Sequence, residues 1–194
     1  NVPPCGKKSK PEDGINLSSI SRFVRLKDFP TALYSLKKLL EKNSDKKLKY
    51  YIVGYGPREN EIRLLIRNLN LNNMVEVLVN LPNIPDILKS CDIYLSTSLF
   101  EGLSNSIMEA MVAGLPIIAT NVGDNQYLVK ESYNGFIVPC KDINAIVDKL
   151  EYLSDFEDVR KEFGQNSHII IEQGFSEEKL LESYFKLFSN MLKS

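Results

Sequence analysis

Short apolar runs alternate along this chain with longer segments of helical period. Ile15 to Ser21, Lys49 to Val53, Met74 to Leu78, Ile93 to Ser96, Ile117 to Thr120 and Gly135 to Pro139 are short, β-branched or aromatic, and bounded by turn residues, so each predicts a buried strand. Between them, Phe29, Ala32, Leu33, Leu36 and Leu40 recur at helical spacing from about Asp28. Asp28 is a candidate N-cap there, and Pro30 falls in the first turn, where its missing N–H is harmless. Ile62, Leu65, Ile66 and Leu69 mark a second helix, and Pro82 to Leu88 a loop with a short one. Ser104 or Asn105 caps another, which stops at Gly114. Asp142 to Leu153 is amphipathic, with Ile143, Ile146, Val147 and Leu150 inward, and Phe156 to Glu172 follows. A capping-type start at Ser176 opens a last helix that carries Leu180, Leu181, Tyr184, Phe185 and Met191. This alternation predicts an α/β fold, a parallel sheet flanked by helices on both faces.

Composition narrows the picture. A chain of 194 residues with 43% hydrophobic positions suits one α/β core. A net charge of −1 gives no reason to expect nucleic acid. No apolar run reaches the ~18 residues of a spanning helix. Cys5, Cys91 and Cys140 are far apart and lack ligand spacing, so reduced thiols in a cytoplasmic protein are expected, with Cys91 as core filler. The one histidine, His168, lies in a late amphipathic helix and reads as a surface residue. No Asp-x-Asp pair and no Ser-His-Asp set is present, and no metal is expected. Asp92, just before a strand, reads as a structural cap rather than an acid catalyst.

The chemistry concentrates in Phe100 to Pro116, between two strand candidates. A strand, glycine turn, helix and strand in that order put the helix N-terminus at the carboxyl edge of the sheet, where open α/β sheets bind ligands. Glu101 sits in the turn and Glu109 on the helix, roughly 6–8 Å along the axis from its first turn. Free N–H groups near Leu103 to Asn105 suit a phosphate, and a carboxylate suits a pair of sugar hydroxyls. Together they suggest a nucleotide-sugar site. Two or three cations, among them Arg22 and Lys27, lie in the first strand-to-helix loop at the same edge. Gly54 and Gly56 end the second strand, where they either make a turn or approach a ligand.

The string EGLSNSIMEAMVAGLPIIATNVGDN resembles the E-x7-E segment of family 4 retaining glycosyltransferases, which have the GT-B fold of two Rossmann-like domains. The resemblance runs from about Asn16 to the C-terminus. It implies that residues 1–14, rich in Pro, Gly and Lys, are a linker or loose terminus, that 15–174 form the nucleotide-sugar-binding domain of the C-terminal, donor-binding half, and that 175–194 form a helix that either crosses to a missing N-terminal domain or packs on its own. It also implies transfer of a hexosyl or N-acetylhexosaminyl group from a nucleoside-diphosphate sugar, UDP being one candidate carrier, to a glycan or lipid-linked acceptor, with retention of configuration. In this pattern Arg22 and Lys27 match the cations on the donor diphosphate, and Glu101 contacts sugar hydroxyls. Gly102, Leu103 and Ser104 present backbone N–H groups, Glu109 takes the ribose, and Leu81, beside Asn80 and Pro82, is near the nucleobase. Ser21 and Asp28 depart from the family's glycines, and Asp28 is expected to add a carboxylate near the phosphates. The acceptor site, and any peripheral contact with a membrane, would come from the missing half. The chain alone would then be inactive. The alternative is a nucleotide-sugar-binding or regulatory module without transfer activity.

Overall fold

The computed structural model describes residues 14–174. The expected linker before Gly14, Cys5, and the expected helix over 175–194 lie outside them. Six strands alternate with helices: β1 (Ile15–Arg22), α1 (Phe29–Lys42), β2 (Leu48–Tyr55), α2 (Glu59–Asn68), β3 (Val75–Val79), α3 (Ile84–Lys89), β4 (Ile93–Ser96), α4 (Asn105–Val112), β5 (Ile117–Thr120), α5 (Asn125–Leu128), β6 (Gly135–Val138), α6 (Ile143–Asp155) and α7 (Glu157–Gly174). The strands form one parallel sheet in the order β3-β2-β1-β4-β5-β6, a Rossmann-like α/β arrangement. The chain winds outward from β1 in one direction and from β4 in the other, so the topological switch lies between β1 and β4.

Each face of the sheet has its own core. Leu33, Leu36 and Leu39 of α1, Ile62 and Ile66 of α2, and Ile146, Val147 and Leu150 of α6 pack against Leu17, Ile52 and Ile93 on one side. Ile107, Ala110 and Met111 of α4 pack with Ile20, Tyr94, Cys91 and Ala119 on the other. Cys91 is thus core filler, as its surroundings in the sequence indicate. β1 is unusually polar for a central strand. Its hydroxyl Ser19 donates to the Leu95 carbonyl and lies 2.7 Å from the Tyr50 hydroxyl, and burial holds that phenol well above its usual titration range. Ser18 is fully buried and its hydroxyl has no partner among the described residues. Asp92 accepts the Asn16 N–H at 2.9 Å at the amino edge of the sheet, a structural role.

Boundaries differ from the sequence expectation by a residue or two. β1 runs on to Arg22, and Arg25–Lys27 form a 3-10 turn before α1. Asp28 does precede α1, but its carboxylate accepts the Thr31 hydroxyl at 2.7 Å rather than a backbone N–H. Asp28 has φ 44°, the left-handed region, which explains why a glycine suits this position and why a short polar residue can replace it. By contrast, Asp142 caps α6 as expected, accepting the Ala145 N–H at 2.9 Å.

Helices α1 and α6 are tied across one face by Lys42 and Asn43 to Glu151, and by Lys46 to Asp155 at 2.6 Å. The Lys42 hydrogen bond is the main reason that the Glu151 carboxyl titrates below its ordinary range, and the same bond raises Lys42. A depressed carboxylate contributes stability above its unfolded pKa and loses it as the pH falls through the folded value. A raised lysine contributes below its unfolded pKa and loses it as the pH rises through the folded value. Glu151→Gln is therefore expected to lower the urea midpoint slightly near neutral pH, because the pair is open to water. The difference from wild type should shrink as the pH falls below the ordinary carboxylate range and through the lowered Glu151 value. Urea unfolding at several pH values reads this directly.

Candidate functional site at the switch point

β1 and β4 pair only at Leu17↔Ile93 and Ser18↔Tyr94. Beyond that register the ladder between them ends, and the buried Tyr94 side chain holds the backbone of Ile20. Its hydroxyl donates to the Ile20 carbonyl at 3.1 Å and lies 3.3 Å from the Ile20 N–H. Burial pushes the Tyr94 phenol up to about 12, against the hydrogen bonds to Ser106 and Ile20, and nearby Glu101 and Glu109 push the same way as burial. The phenol is therefore a neutral hydrogen-bonding group that links the end of β1 with the first turn of α4.

Ile20 also lines a cavity of about 540 Å³ at the carboxyl edge. Both expected cations, Arg22 and Lys27, line it, and so do both carboxylates, Glu101 and Glu109. Gly54, Leu81, Leu103 and Ser104 complete the expected residues found there. Lys27 and Glu101 form an ion pair at 2.5 Å, and the Ser98 hydroxyl donates to the same Glu101 oxygen at 2.8 Å. Arg22 and Glu109 are exposed, and neither side chain has a hydrogen bond or ion pair among the described residues. Ser104 stands at the N-cap of α4, but its hydroxyl lies 3.3 Å from the Ser106 hydroxyl and caps no backbone N–H. The first amides of α4 are thus left without a side-chain acceptor. A helix end of this kind favours an anion, with a cation and a carboxylate on either side.

Two residues singled out in the sequence do not line the cavity. Gly56 lies beneath it: a Cβ there would be 2.7 Å from the Phe23 nitrogen and oxygen, so this glycine lets β2 press against the chain just after Arg22. Gly102 is in the turn with nothing within 4 Å of a built Cβ. Gly54 lines the cavity and also needs its lack of a side chain, since a Cβ would meet the Ser21 carbonyl oxygen at 1.9 Å. The turn reading therefore holds for both glycines of the Gly-x-Gly. Asp28, expected to add a carboxylate near a bound phosphate, turns toward Thr31 and lies outside the cavity lining.

Sequence reasoning missed several lining or supporting residues. Ile20, Ser21 and Val53 line the cavity simply as the carboxyl ends of central strands, which the parallel sheet itself foretells. Ser106 follows from the helix start, next to Asn105, which the sequence itself places there. Tyr94 and Ser98 carried no signal, because their roles depend on partners far off in sequence. A larger hollow of about 910 Å³ opens at the amino edge. Several of its charged side chains have partners: Lys46 pairs with Asp155, Lys161 with Glu157 at 2.9 Å, and Asp92 accepts the Asn16 N–H. His168 lies on the surface of α7, 3.1 Å from Glu172. Among the described residues no three His, Cys, Asp or Glu side chains are grouped as a metal site needs, and no helix is long and apolar enough to cross a membrane.

A family model described as "Glycosyl transferases group 1" matches residues 6–169. The chain is 30% identical over 157 residues to the UDP-Gal:alpha-D-GlcNAc-diphosphoundecaprenol alpha-1,3-galactosyltransferase of Escherichia coli, covering 80% of this chain and 40% of that one. It is 27% identical over 173 residues to the poly(ribitol-phosphate) alpha-N-acetylglucosaminyltransferase of Staphylococcus aureus, covering 88% and 34%. The chain thus spans less than half the length of these curated relatives. Among solved structures, a mutant of S. aureus TarM in complex with fondaparinux, alpha-GlcNAc-glycerol and UDP superposes with a TM-score of 0.83 at 25% identity, covering 91% of this chain and 36% of that one. The UDP complex of Anabaena HepE superposes with a TM-score of 0.84 at 21% identity, covering 92% and 49%, a likeness of fold.

Proposed function

The chain belongs to the group 1 glycosyl transferases, and from that premise we propose that its carboxyl-edge cavity binds the nucleoside diphosphate of a sugar donor. The observation that carries this reading is the meeting, around one cavity, of two cations, two carboxylates and the uncapped N-terminus of α4. Arg22, Lys27 and the first amides of α4 hold the diphosphate. As the bond from the anomeric carbon to the phosphate oxygen breaks, negative charge gathers on that oxygen. Fixed cations and N–H dipoles stabilise it there without a bound metal. Glu101 takes hydroxyls of the transferred sugar, Glu109 the ribose, and the Leu81 loop the base.

On this reading the chain is the donor-binding, C-terminal half of a family 4 enzyme of GT-B type, and it transfers with retention of configuration. The acceptor, a glycan or lipid-linked sugar, is held by a second domain. The name of the E. coli relative includes UDP-Gal, and TarM and HepE carry UDP in their solved complexes, which favours uridine as the base. The test is a calorimetric titration of the chain with UDP, GDP and ADP and their sugars, without added metal. Saturable binding of the uridine series alone is expected. A folded chain that binds none of them overturns the reading.

A further inference from the structure

Lys27 has a counterion within the protein itself. Its ammonium lies 2.5 Å from Glu101 Oε1, with the two side chains only 20% and 11% exposed. Their backbones are held independently of the pair. The Leu99 N–H donates to the Leu26 carbonyl at 2.7 Å, and the Thr97 hydroxyl lies 3.1 and 3.0 Å from the carbonyls of Lys27 and Asp28. Ser98 fixes the carboxylate from its other side at 2.8 Å. Arg22, on the same cavity, is left open. The site thus offers an arriving anion one open cation and one cation whose charge is half cancelled, beside a carboxylate that repels it. Shielding from water strengthens both the attraction within the pair and the repulsion of a second anion.

We propose that Glu101 is the residue that makes this site select a sugar-bearing diphosphate over a bare one. This rests on the donor-site reading above. A bare diphosphate must compete with Glu101 for Lys27 and offers the carboxylate nothing in return. A sugar diphosphate brings hydroxyl donors, which hydrogen-bond the carboxylate as it gives up part of its contact with the ammonium. After transfer those hydroxyls depart with the sugar, Glu101 returns to Lys27, and the nucleoside diphosphate is released. The same carboxylate therefore favours entry of donor and exit of product.

The test uses the whole chain titrated, without metal, with pyrophosphate, UDP and UDP-N-acetylglucosamine. Glu101→Gln keeps the size and removes the charge. It is expected to tighten pyrophosphate and UDP by about tenfold while leaving the sugar nucleotide unchanged or weaker. Lys27→Met alone should weaken pyrophosphate and UDP at least about tenfold, because it removes a cation and leaves Glu101 as an unneutralised anion beside the site. Glu101→Asp, which keeps the charge on a shorter arm, is expected to give a smaller gain and serves if the glutamine variant does not fold. Unchanged or weaker binding of pyrophosphate and UDP in both Glu101 variants overturns the proposal, and so does a Lys27→Met variant that binds them as wild type does. Wild type and variants that all ignore UDP and its sugar would instead sink the donor-site reading itself, and the proposal with it.

Discussion

Glu109→Ala and Arg22→Ala should each lower sugar transfer by the complete enzyme about 30- to 100-fold while the chain melts as wild type does. The size follows from what each group offers a donor. A carboxylate accepting two hydroxyls, or a guanidinium on a phosphate, contributes charge-assisted hydrogen bonds of about 1.5–3 kcal/mol, and each ~1.4 kcal/mol is tenfold. The intact fold follows from the exposure of both side chains. Both side chains are exposed and hold no partner among the described residues, so their loss leaves nothing buried and unpaired. Transfer assays with a radiolabelled or fluorescent donor, alongside urea curves, separate the two effects. If both variants turn over as wild type does, these residues are not part of a donor site.

Gly123→Ala should do the reverse and damage stability and binding together. Gly123 has φ 50°, and a Cβ on it would stand 2.0 Å from the Glu101 carbonyl oxygen and 2.7 Å from its carbon. The left-handed conformation alone costs an alanine about 1–2 kcal/mol. The obstacle is backbone, so no side-chain rotation relieves the contact, and the turn that carries Glu101 has to move. A total loss near 3 kcal/mol is expected, read as a lower urea midpoint, with weaker nucleotide binding because Glu101 shifts against Lys27. Gly102→Ala is the control. Its Cβ would meet nothing within 4 Å, so its stability should change by less than about 0.5 kcal/mol.

The contrast between these two glycines also marks what a sequence can reveal. Gly102 stands inside a motif and drew attention, yet its space is open. Gly123 reads in the sequence only as a turn that continues the site wall, because its constraint is a backbone 22 residues away that only the packed loops bring near. The strands were legible because short β-branched runs between turn residues have few other fates, and the carboxyl-edge placement of Arg22, Lys27, Glu101 and Glu109 followed from strand–helix order alone. What stayed hidden was pairing. Nothing in Lys27 or Glu101 announces that each is the other's partner, and the sequence treats Tyr94 as one more apolar strand residue rather than the group that satisfies Ile20. Asp28 was misjudged for the same reason: its distance from the cations was visible along the chain, but not the turn of its backbone toward Thr31.

The sheet order has a bearing on how the molecule assembles itself in time. β1 meets β2 as soon as the chain has reached Tyr55, in register from Ile15↔Leu48 to Arg22↔Tyr55, and β3 adds to that edge. β4 joins the opposite edge of β1 much later, and Lys27 must wait for a carboxylate 74 positions downstream. Closing so long a loop is slow compared with local helix and strand pairing. A nascent chain halted after β3 would hold half a sheet with β1 bare along one side, a surface prone to stick to its neighbours. Ligand affinity in such a chain cannot build up gradually, since only the β1–β4 seam brings Glu101, Ser104 and Glu109 to the cavity beside Arg22 and Lys27. Nucleotide capture during refolding would therefore act as a clock for the closing of the β1–β4 seam, ticking only after the core on the β2 side is already in place.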